Sequence, residues 1–242
     1  SHELTSDGFE CLMDYNQVNT MYATTYRGGN GTIHRSTAYG SPDFGDGINS
    51  DVGSSKFGAA LIMSPYDPRI LYQGRQDIFK TYDARSATSD DWFRITDLEN
   101  QFPDTNWCHV IYGLEIAPAD SGRLYASTIN CTQEAFDKFK CKLIRTDTCY
   151  GGEICNWTEI TPDTTNDLVI NDIAVSDKDA DSIWVCYSGF VEDYKVKFSP
   201  DGGETWTNYN NGLPNVPINC IVYQLSSNDA LFVGTDVGVF YR

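Results

Sequence analysis

An apolar residue followed by an aromatic residue recurs five times along the chain at similar spacing. The five pairs are Met21-Tyr22, Leu71-Tyr72, Leu124-Tyr125, Ile183-Trp184 and Leu231-Phe232. Successive pairs begin 50, 53, 59 and 48 residues apart. Intervals of this size are typical of repeat architectures, in which each unit is one supersecondary structure that packs on its neighbours.

Each pair lies between short apolar stretches that are separated by polar turns. The stretches before the pairs predict strands over residues 9–13, 59–63, 112–116, 170–175 and 219–223. A further strand is predicted after the pair, as in residues 78–81, 142–145 and 195–198. Four short antiparallel strands per unit, with Pro and Asp at the turns and no helical periodicity, predict an all-β fold of the β-propeller type.

The most regular turn is the octet Ser199-Pro200-Asp201-Gly202-Gly203-Glu204-Thr205-Trp206, which reads S-x-D-x-G-x-x-W. Asp201 can accept hydrogen bonds from nearby backbone N–H groups, and glycine permits the positive φ that a tight hairpin needs. Trp206 can bury its ring between neighbouring sheets. We predict structural roles for Ser199, Asp201, Gly203 and Trp206, and for two widened versions of the turn, Asp83 with Trp92 and Asp147 with Trp157.

Three stretches of the sequence carry a resemblance to a known class of proteins. Residues 199–206, 211–219 and 233–240 resemble the Asp-box, or BNR-repeat, β-propellers. That superfamily includes sialidases, xyloglucanase-type glycoside hydrolases, sortilin-like receptors and photosystem assembly factors. The last stretch looks most like propellers of secreted Bacteroidetes proteins that are cargo of type IX secretion. The resemblance implies an extracellular or cell-surface module, and it implies part of a larger exported protein because such propellers usually have more than five blades.

The repeat predicts that residues 1–242 form one β-propeller with about five four-stranded blades. The predicted units cover approximately residues 8–57, 58–108, 109–165, 166–212 and 213–242, with residues 1–7 completing the last one. Two arrangements of the ends stay open: the termini share one blade, or the chain is one sector of a larger ring.

The charge of the chain excludes some partners. The formal net charge is −17 and the pI is about 4.3. A surface of this sign repels phosphate, so counterion release cannot drive nucleic-acid binding. No run of 18 apolar residues is present, and no membrane span is predicted.

The eight cysteines indicate disulfides rather than a zinc site, because no two C-x-x-C pairs occur. Cys131 and Cys141 bracket one insertion, and Cys149 and Cys155 bracket another. We predict that each pair forms a bridge across a hairpin loop, which points to an oxidising, extracellular compartment. The alternative is a set of unpaired buried thiols. The pairing of the remaining cysteines stays open for Cys11, Cys108, Cys186 and Cys220.

No pattern of catalytic residues stands out. Glycoside hydrolysis would need two carboxylates roughly 5–10 Å apart, and no spacing among the 34 acidic residues singles out a pair. We predict no metal site and no cofactor. Calcium is a weak candidate at residues 177–181 and 43–51, which are rich in oxygen ligands but do not match the EF-hand loop.

The long loops of residues 37–56, 97–108 and 129–141 are the best candidates for a ligand-binding face, because insertions in repeat folds often carry function. Phe102, Trp107 and Phe136 could stack on sugar rings there. We therefore predict a secreted binding or structural module for glycans or surface proteins. The alternatives are a fragment of a glycoside hydrolase and a passenger or adhesin spacer that meets the outer-membrane export machinery.

Overall fold

The computed structural model describes residues 7–27, 30–40, 44–45, 47–49, 60–103, 109–130, 141–151, 153–162 and 168–242. Within these residues the chain forms five antiparallel sheets, one short 3-10 helix and one four-residue α-helix. In every sheet the strands follow one another in sequence order. The prediction of an all-β fold made of antiparallel blades is confirmed.

The first sheet contains β1 (Asp7–Met13), β2 (Met21–Arg27) and β3 (Asn30–Ser36). The second contains β4 (Leu61–Met63), β5 (Leu71–Gly74), β6 (Ile78–Thr81) and β7 (Phe93–Arg94), with the 3-10 helix Ser89–Asp91 before β7 and the helix α1 (Leu98–Gln101) after it. The third contains β8 (His109–Ile116), β9 (Leu124–Asn130), β10 (Cys141–Thr146) and β11 (Thr158–Glu159). The fourth contains β12 (Ile170–Val175), β13 (Ile183–Tyr187), β14 (Val196–Ser199) and β15 (Thr207–Asn208). The fifth contains β16 (Ile218–Tyr223), β17 (Leu231–Thr235) and β18 (Gly238–Tyr241).

The chain divides into two compact units. Residues 1–102 with 151–154 form the first unit, which holds the first two sheets, and residues 103–150 with 155–242 form the second. The apolar-aromatic pairs of the sequence open the second strand of all five sheets, at the first residues of β2, β5, β9, β13 and β17. The proposed boundaries of the five repeat units, including the role of residues 1–7, stay predictions.

The second strands of the second and fourth sheets, β5 and β13, are buried on both faces. All five residues of β13 are buried. Val185 packs with Leu143 of the third sheet, whereas Trp184 packs with Ile221 of the fifth. In the first unit, Tyr22 of β2 and Leu71 of β5 belong to one apolar cluster. A strand that is apolar on both faces must be covered on both sides, so the sheets pack face to face.

The first sheet replaces a fourth strand by a less regular segment. The N–H of Gly45 donates to the carbonyl of Arg35 at 3.0 Å, and the N–H of Ile48 donates to that of Ile33 at 2.8 Å. Gly47 forms an isolated antiparallel bridge with His34. Part of residues 37–56 therefore pairs with β3, and the ligand-binding role of this loop stays a prediction.

The turn that begins at Ser199 is held by side-chain hydrogen bonds. Ser199 Oγ accepts the N–H groups of Asp201 at 3.3 Å and Gly203 at 2.7 Å. Asp201 accepts the N–H of Thr205 at 2.8 Å and its hydroxyl at 2.5 Å, and these bonds lower the pKa of Asp201. Trp206 Nε1 donates to the carbonyl of Ile160 at 3.2 Å, which ties the turn to the third sheet.

A turn of the same form follows β3, although no tryptophan completes the octet pattern there. Ser36 Oγ accepts the N–H groups of Ala38 at 3.3 Å and Gly40 at 3.0 Å, two and four residues later. Tyr39 and Gly40 have φ values of 56° and 74°, close to the 68° and 99° of Gly202 and Gly203. Tyr39 therefore occupies a position that is glycine in the fourth sheet.

The two widened turns keep the tryptophan but not the serine network. Trp92 is buried, and its Nε1 donates to the carbonyl of Ile48 at 2.8 Å, as Trp206 does to Ile160. Trp157 is also buried. Asp83 accepts the N–H of Arg85 at 3.2 Å, and Asp147 lies 3.0 Å from the guanidinium of Arg145. Asp83 thus forms a hydrogen bond within its own turn, and Asp147 forms an ion pair.

One of the two predicted disulfides is present. Cys149 and Cys155 are bonded, with 5.4 Å between their Cα atoms. The predicted bridge between Cys131 and Cys141 is wrong, because Cys141 is a free thiol that packs against the apolar cluster around Ile170 and accepts its N–H at 3.4 Å. Burial raises the pKa of this thiol to about 12. Cys131 lies outside the described residues, as does Cys108.

We predict that Gly203→Ala lowers the free energy of unfolding by about 2–4 kcal/mol, because a left-handed alanine is strained and its methyl group overlaps a neighbour. Gly203 has φ 99°, and an added Cβ would lie 2.6 Å from Ile160 Cδ1. Gly151→Ala is the control, because a Cβ there meets nothing within 4 Å. Urea denaturation measures both, and equal losses in the two variants would contradict the assignment.

Candidate functional site

Of the three predicted sugar-stacking aromatics, the structure describes Phe102. Phe102 follows α1 and is half-buried, and its N–H donates to the carbonyl of Leu98 at 2.9 Å. Trp107 and Phe136 lie outside the described residues, so their roles stay predictions. The exposed aromatic side chains in described loops are found elsewhere.

Residues 188–195 connect β13 to β14 in a loop whose base is fixed. The N–H of Ser188 donates to the carbonyl of Val169 at 3.0 Å, and Asn210 Oδ1 accepts the N–H of Lys195 at 3.3 Å. Lys195 is buried, and its Nζ donates to the carbonyl of Gly189 at 2.8 Å. Burial lowers the pKa of Lys195. A buried lysine that holds a carbonyl of its own loop limits the conformations of that loop.

Tyr194 closes the loop from the other side. Its ring meets the ring of Tyr187 edge-on at 6.2 Å, and Lys197 Nζ lies 4.7 Å from the centre of the Tyr194 ring. Tyr187 itself is buried at the end of β13. The aromatic pair and the cation over it anchor the loop to the sheet.

The tip of the loop is exposed and carries an aromatic ring beside carboxylates. Phe190 is 69% exposed, and Val191, Glu192 and Asp193 are exposed next to it. A flat apolar ring can stack on the C–H face of a sugar, while carboxylates accept hydrogen bonds from its hydroxyl groups. The loop therefore presents chemistry suited to a hydroxyl-rich ligand. In the sequence, this loop could have been recognised by the aromatic residue Phe190 within the eight residues that separate two apolar strands.

A carboxyl pair lies on the first strands of the third and fourth sheets. Burial raises the pKa of Glu115 to about 8, and the charge of Asp172 adds to the shift. Asp172 accepts the N–H groups of Ile173 at 2.9 Å and Ile221 at 3.0 Å. Other first strands carry apolar side chains in place of Glu115, such as Ala174 and Val222.

The acidic residues considered for calcium have other partners. Asp177 accepts the N–H of Ser226 at 2.6 Å, Asp179 accepts the hydroxyl of Ser182 at 2.9 Å, and Asp181 pairs with Arg123. Asp43, Asp46 and Asp51 lie outside the described residues. In the described part of the chain, no group of three or more His, Cys, Asp or Glu side chains could hold a metal ion.

Two cavities lie beside the outer strands of the second unit. One of about 660 Å³ is lined by Trp206, Arg145 and Lys197, among others. Arg145 there donates to the carbonyl of Gly202 at 2.6 Å, and Lys197 bonds to Asn208. The other, of about 390 Å³, is lined in part by Tyr209 and Arg242, which stack on each other. Arg145, Lys197 and Arg242 in these linings are engaged in contacts within the fold. We therefore take the loop of residues 188–195 as the candidate site.

The chain is similar in fold to several solved structures. YCF48 from Cyanidioschyzon merolae matches with a TM-score of 0.62 and 14% identity, over 100% of this chain and 68% of that one. The GH74 enzyme from Niastella koreensis matches with a TM-score of 0.59 and 15% identity, over 97% of this chain and 44% of that one. The outer coat vertex of COPII on membranes matches with a TM-score of 0.58 and 8% identity, over 94% and 56%.

The chain has a β-propeller fold. At these identities the likeness shows the fold alone, and the chain spans less than half of the GH74 enzyme. No family model matches the sequence, and no curated protein matches it. None of the described helices is long and apolar enough to cross a membrane.

We predict that the titration of Glu115 lowers the free energy of unfolding as the pH rises from about 4.5 to about 8. The unfolded chain ionises this carboxyl near its ordinary pKa of 4.5, whereas the folded protein keeps the proton to about pH 8. Its stabilising contribution is therefore full below about pH 4.5 and is lost as the pH rises to about 8. Glu115→Gln removes the titration.

Urea denaturation between pH 5 and 8 tests this expectation. The wild-type protein should lose stability relative to Glu115→Gln across that range and show no further relative loss above it. Glu204→Gln changes an exposed carboxyl and is the control. A difference between wild type and Glu115→Gln that stays constant with pH would contradict the assignment.

Proposed function

We propose that the chain is an extracellular β-propeller module that binds glycans through the loop of residues 188–195. The observation that carries the proposal is the exposed ring of Phe190 on a loop whose base is held by Lys195 and Asn210. A loop that is already ordered loses less conformational entropy when it binds a ligand. The exposed carboxylates at the tip supply hydrogen-bond acceptors for sugar hydroxyls.

The extracellular location is supported by the disulfide between Cys149 and Cys155, because disulfides persist in oxidising compartments. The strongly acidic composition disfavours acidic ligands. Surface proteins stay an alternative class of ligand, and export through the type IX route stays a prediction.

We predict that Phe190→Ala weakens glycan binding by roughly two- to tenfold, because one stacked ring contributes about 0.5–1.5 kcal/mol. An array of plant and bacterial polysaccharides identifies a ligand for the wild-type protein, and calorimetry then compares the variants. Tyr241→Ala removes a comparably exposed ring from the fifth sheet and should bind as the wild type does. If Phe190→Ala and the wild-type protein bind with equal affinity, the loop of residues 188–195 is not the glycan-binding site.

A second candidate function is glycoside hydrolysis, which the pair Glu115 and Asp172 favours. A glycosidase needs one carboxyl that holds its proton near neutral pH beside one that does not, and the raised pKa of Glu115 fits the first role. Reducing-sugar release from the same polysaccharides separates the two functions. Turnover that Glu115→Gln abolishes would favour the enzyme, and binding without turnover the module.

A further inference from the structure

Tyr39 stands in a strained conformation that its packing does not explain. In the turn Ser36–Gly40 it has φ 56°, in the left-handed region that a side chain with a Cβ disfavours. The corresponding residue of the turn after β14 is Gly202, with φ 68°. The ring of Tyr39 is 68% exposed, so buried contacts offset little of the strain. Strain of this kind is commonly kept at binding sites.

Two other exposed tyrosines lie on nearby turns. The turn of Tyr15 contacts the turn of Tyr39, and it also contacts the turn of Tyr66. The N–H of Tyr39 donates to the carbonyl of Asn19 at 3.0 Å, and the amide of Asn19 donates to the carbonyl of Thr37 at 2.8 Å. Tyr15, on the same turn as Asn19, donates its hydroxyl to the carbonyl of Ser64 at 3.2 Å. Tyr66 follows on the turn that begins at Ser64. Tyr15, Tyr39 and Tyr66 are together named the tyrosine surface.

The turn that carries Tyr15 is rigid. Asp14 is buried, and its Oδ1 accepts the N–H groups of Asn16 at 2.9 Å and Gln17 at 2.8 Å. Its other oxygen lies 2.7 Å from Nε of Arg85. The Arg85 guanidinium and the two N–H groups lower the pKa of Asp14 against the effect of its burial. A fixed turn holds its exposed side chains in place for a ligand.

The charged side chains of these turns are in ion pairs. Asp14 pairs with Arg85 of the second sheet, and Asp67 pairs with Arg69 at 2.6 Å. The neutral polar residues Asn16, Gln17 and Thr37 of the turns are exposed. Exposed rings with neutral amides fit a ligand that has apolar faces and hydroxyl groups but no charge.

We propose that the tyrosine surface binds a neutral polysaccharide chain, whose sugar rings stack on Tyr15, Tyr39 and Tyr66. An acidic polysaccharide is disfavoured, because the net charge of the protein is −17 and the turns offer no unpaired cation among their described residues. The surface belongs to the first unit and uses none of residues 188–195. The tyrosine surface is thus a second site, and the test of this proposal does not depend on whether the loop binds a glycan.

The decisive variant is Tyr39→Gly, because it removes the ring and relieves the backbone strain at once. Its melting temperature should equal or exceed that of the wild-type protein, so a loss of binding cannot be attributed to unfolding. Calorimetry on the full chain would use galactomannan, arabinoxylan and mixed-linkage β-glucan as neutral probes, and polygalacturonate and alginate as acidic ones. Tyr15→Ala and Tyr66→Ala test the other rings, and Tyr241→Ala is the control.

The expected result is that at least one neutral polysaccharide binds and that Tyr39→Gly lowers its affinity roughly tenfold or more. Smaller losses of the same sign are expected for the other two tyrosine variants and none for the control. Three outcomes would overturn the proposal: no neutral probe binds, only acidic probes bind, or Tyr39→Gly binds as the wild type does. Loss of binding in Phe190→Ala with full binding in Tyr39→Gly would leave the loop as the site and remove the tyrosine surface.

Discussion

The second strand of each sheet imposes the constraint on which the rest of the structure depends. β5 and β13 are buried along their whole length, so apolar side chains leave both faces of the strand and need cover on both sides. One sheet of three or four strands cannot supply that cover alone. Face-to-face packing of the sheets within each unit is therefore a requirement of the sequence, and loops at the sheet ends remain free to vary.

Polar contacts between neighbouring sheets fix how they pack. In the first unit, Arg35 donates to the carbonyl of Ala84 at 2.7 Å in the turn of the next sheet. In the second unit, Arg145 makes the corresponding bond to Gly202 at 2.6 Å. Trp92 and Trp206 reach in the opposite direction, to the preceding sheet. These bonds give backbone carbonyl groups a partner, and they fix the position of one sheet along its neighbour. Apolar contact alone is not directional and does not fix that position.

The features that could be predicted from sequence are those that repeat. The apolar-aromatic pairs located all five second strands, because a similar apolar strand recurs in every unit. Features that depart from the repeat were harder to predict. The turn after β3 does not show the full octet pattern, because Tyr39 stands where the turn after β14 has Gly202 and no tryptophan follows. The bridge between Cys131 and Cys141 was predicted from their spacing, but Cys141 packs against the apolar cluster that contains Ile170.

The candidate binding residues could not be predicted for a related reason. Phe190 and Tyr39 look in sequence like the buried aromatics of the chain, such as Tyr72 and Trp184. What distinguishes them is exposure on an ordered turn, and that depends on distant partners such as Asn210 and Asn19. Phe102 had the expected position in a loop but is half-buried. Loop position alone is thus a weaker guide than exposure on a fixed backbone.

The central claim is that ligand is bound at exposed turns and not along the strands. Hydrogen exchange of the wild-type chain, measured with and without a saturating neutral polysaccharide, tests it most directly. The account predicts slower exchange in residues 188–195 and in residues 15–19 and 37–40, with β8 and β12 unchanged. Protection confined to β8 and β12, around Glu115 and Asp172, would contradict it, as would no protection anywhere.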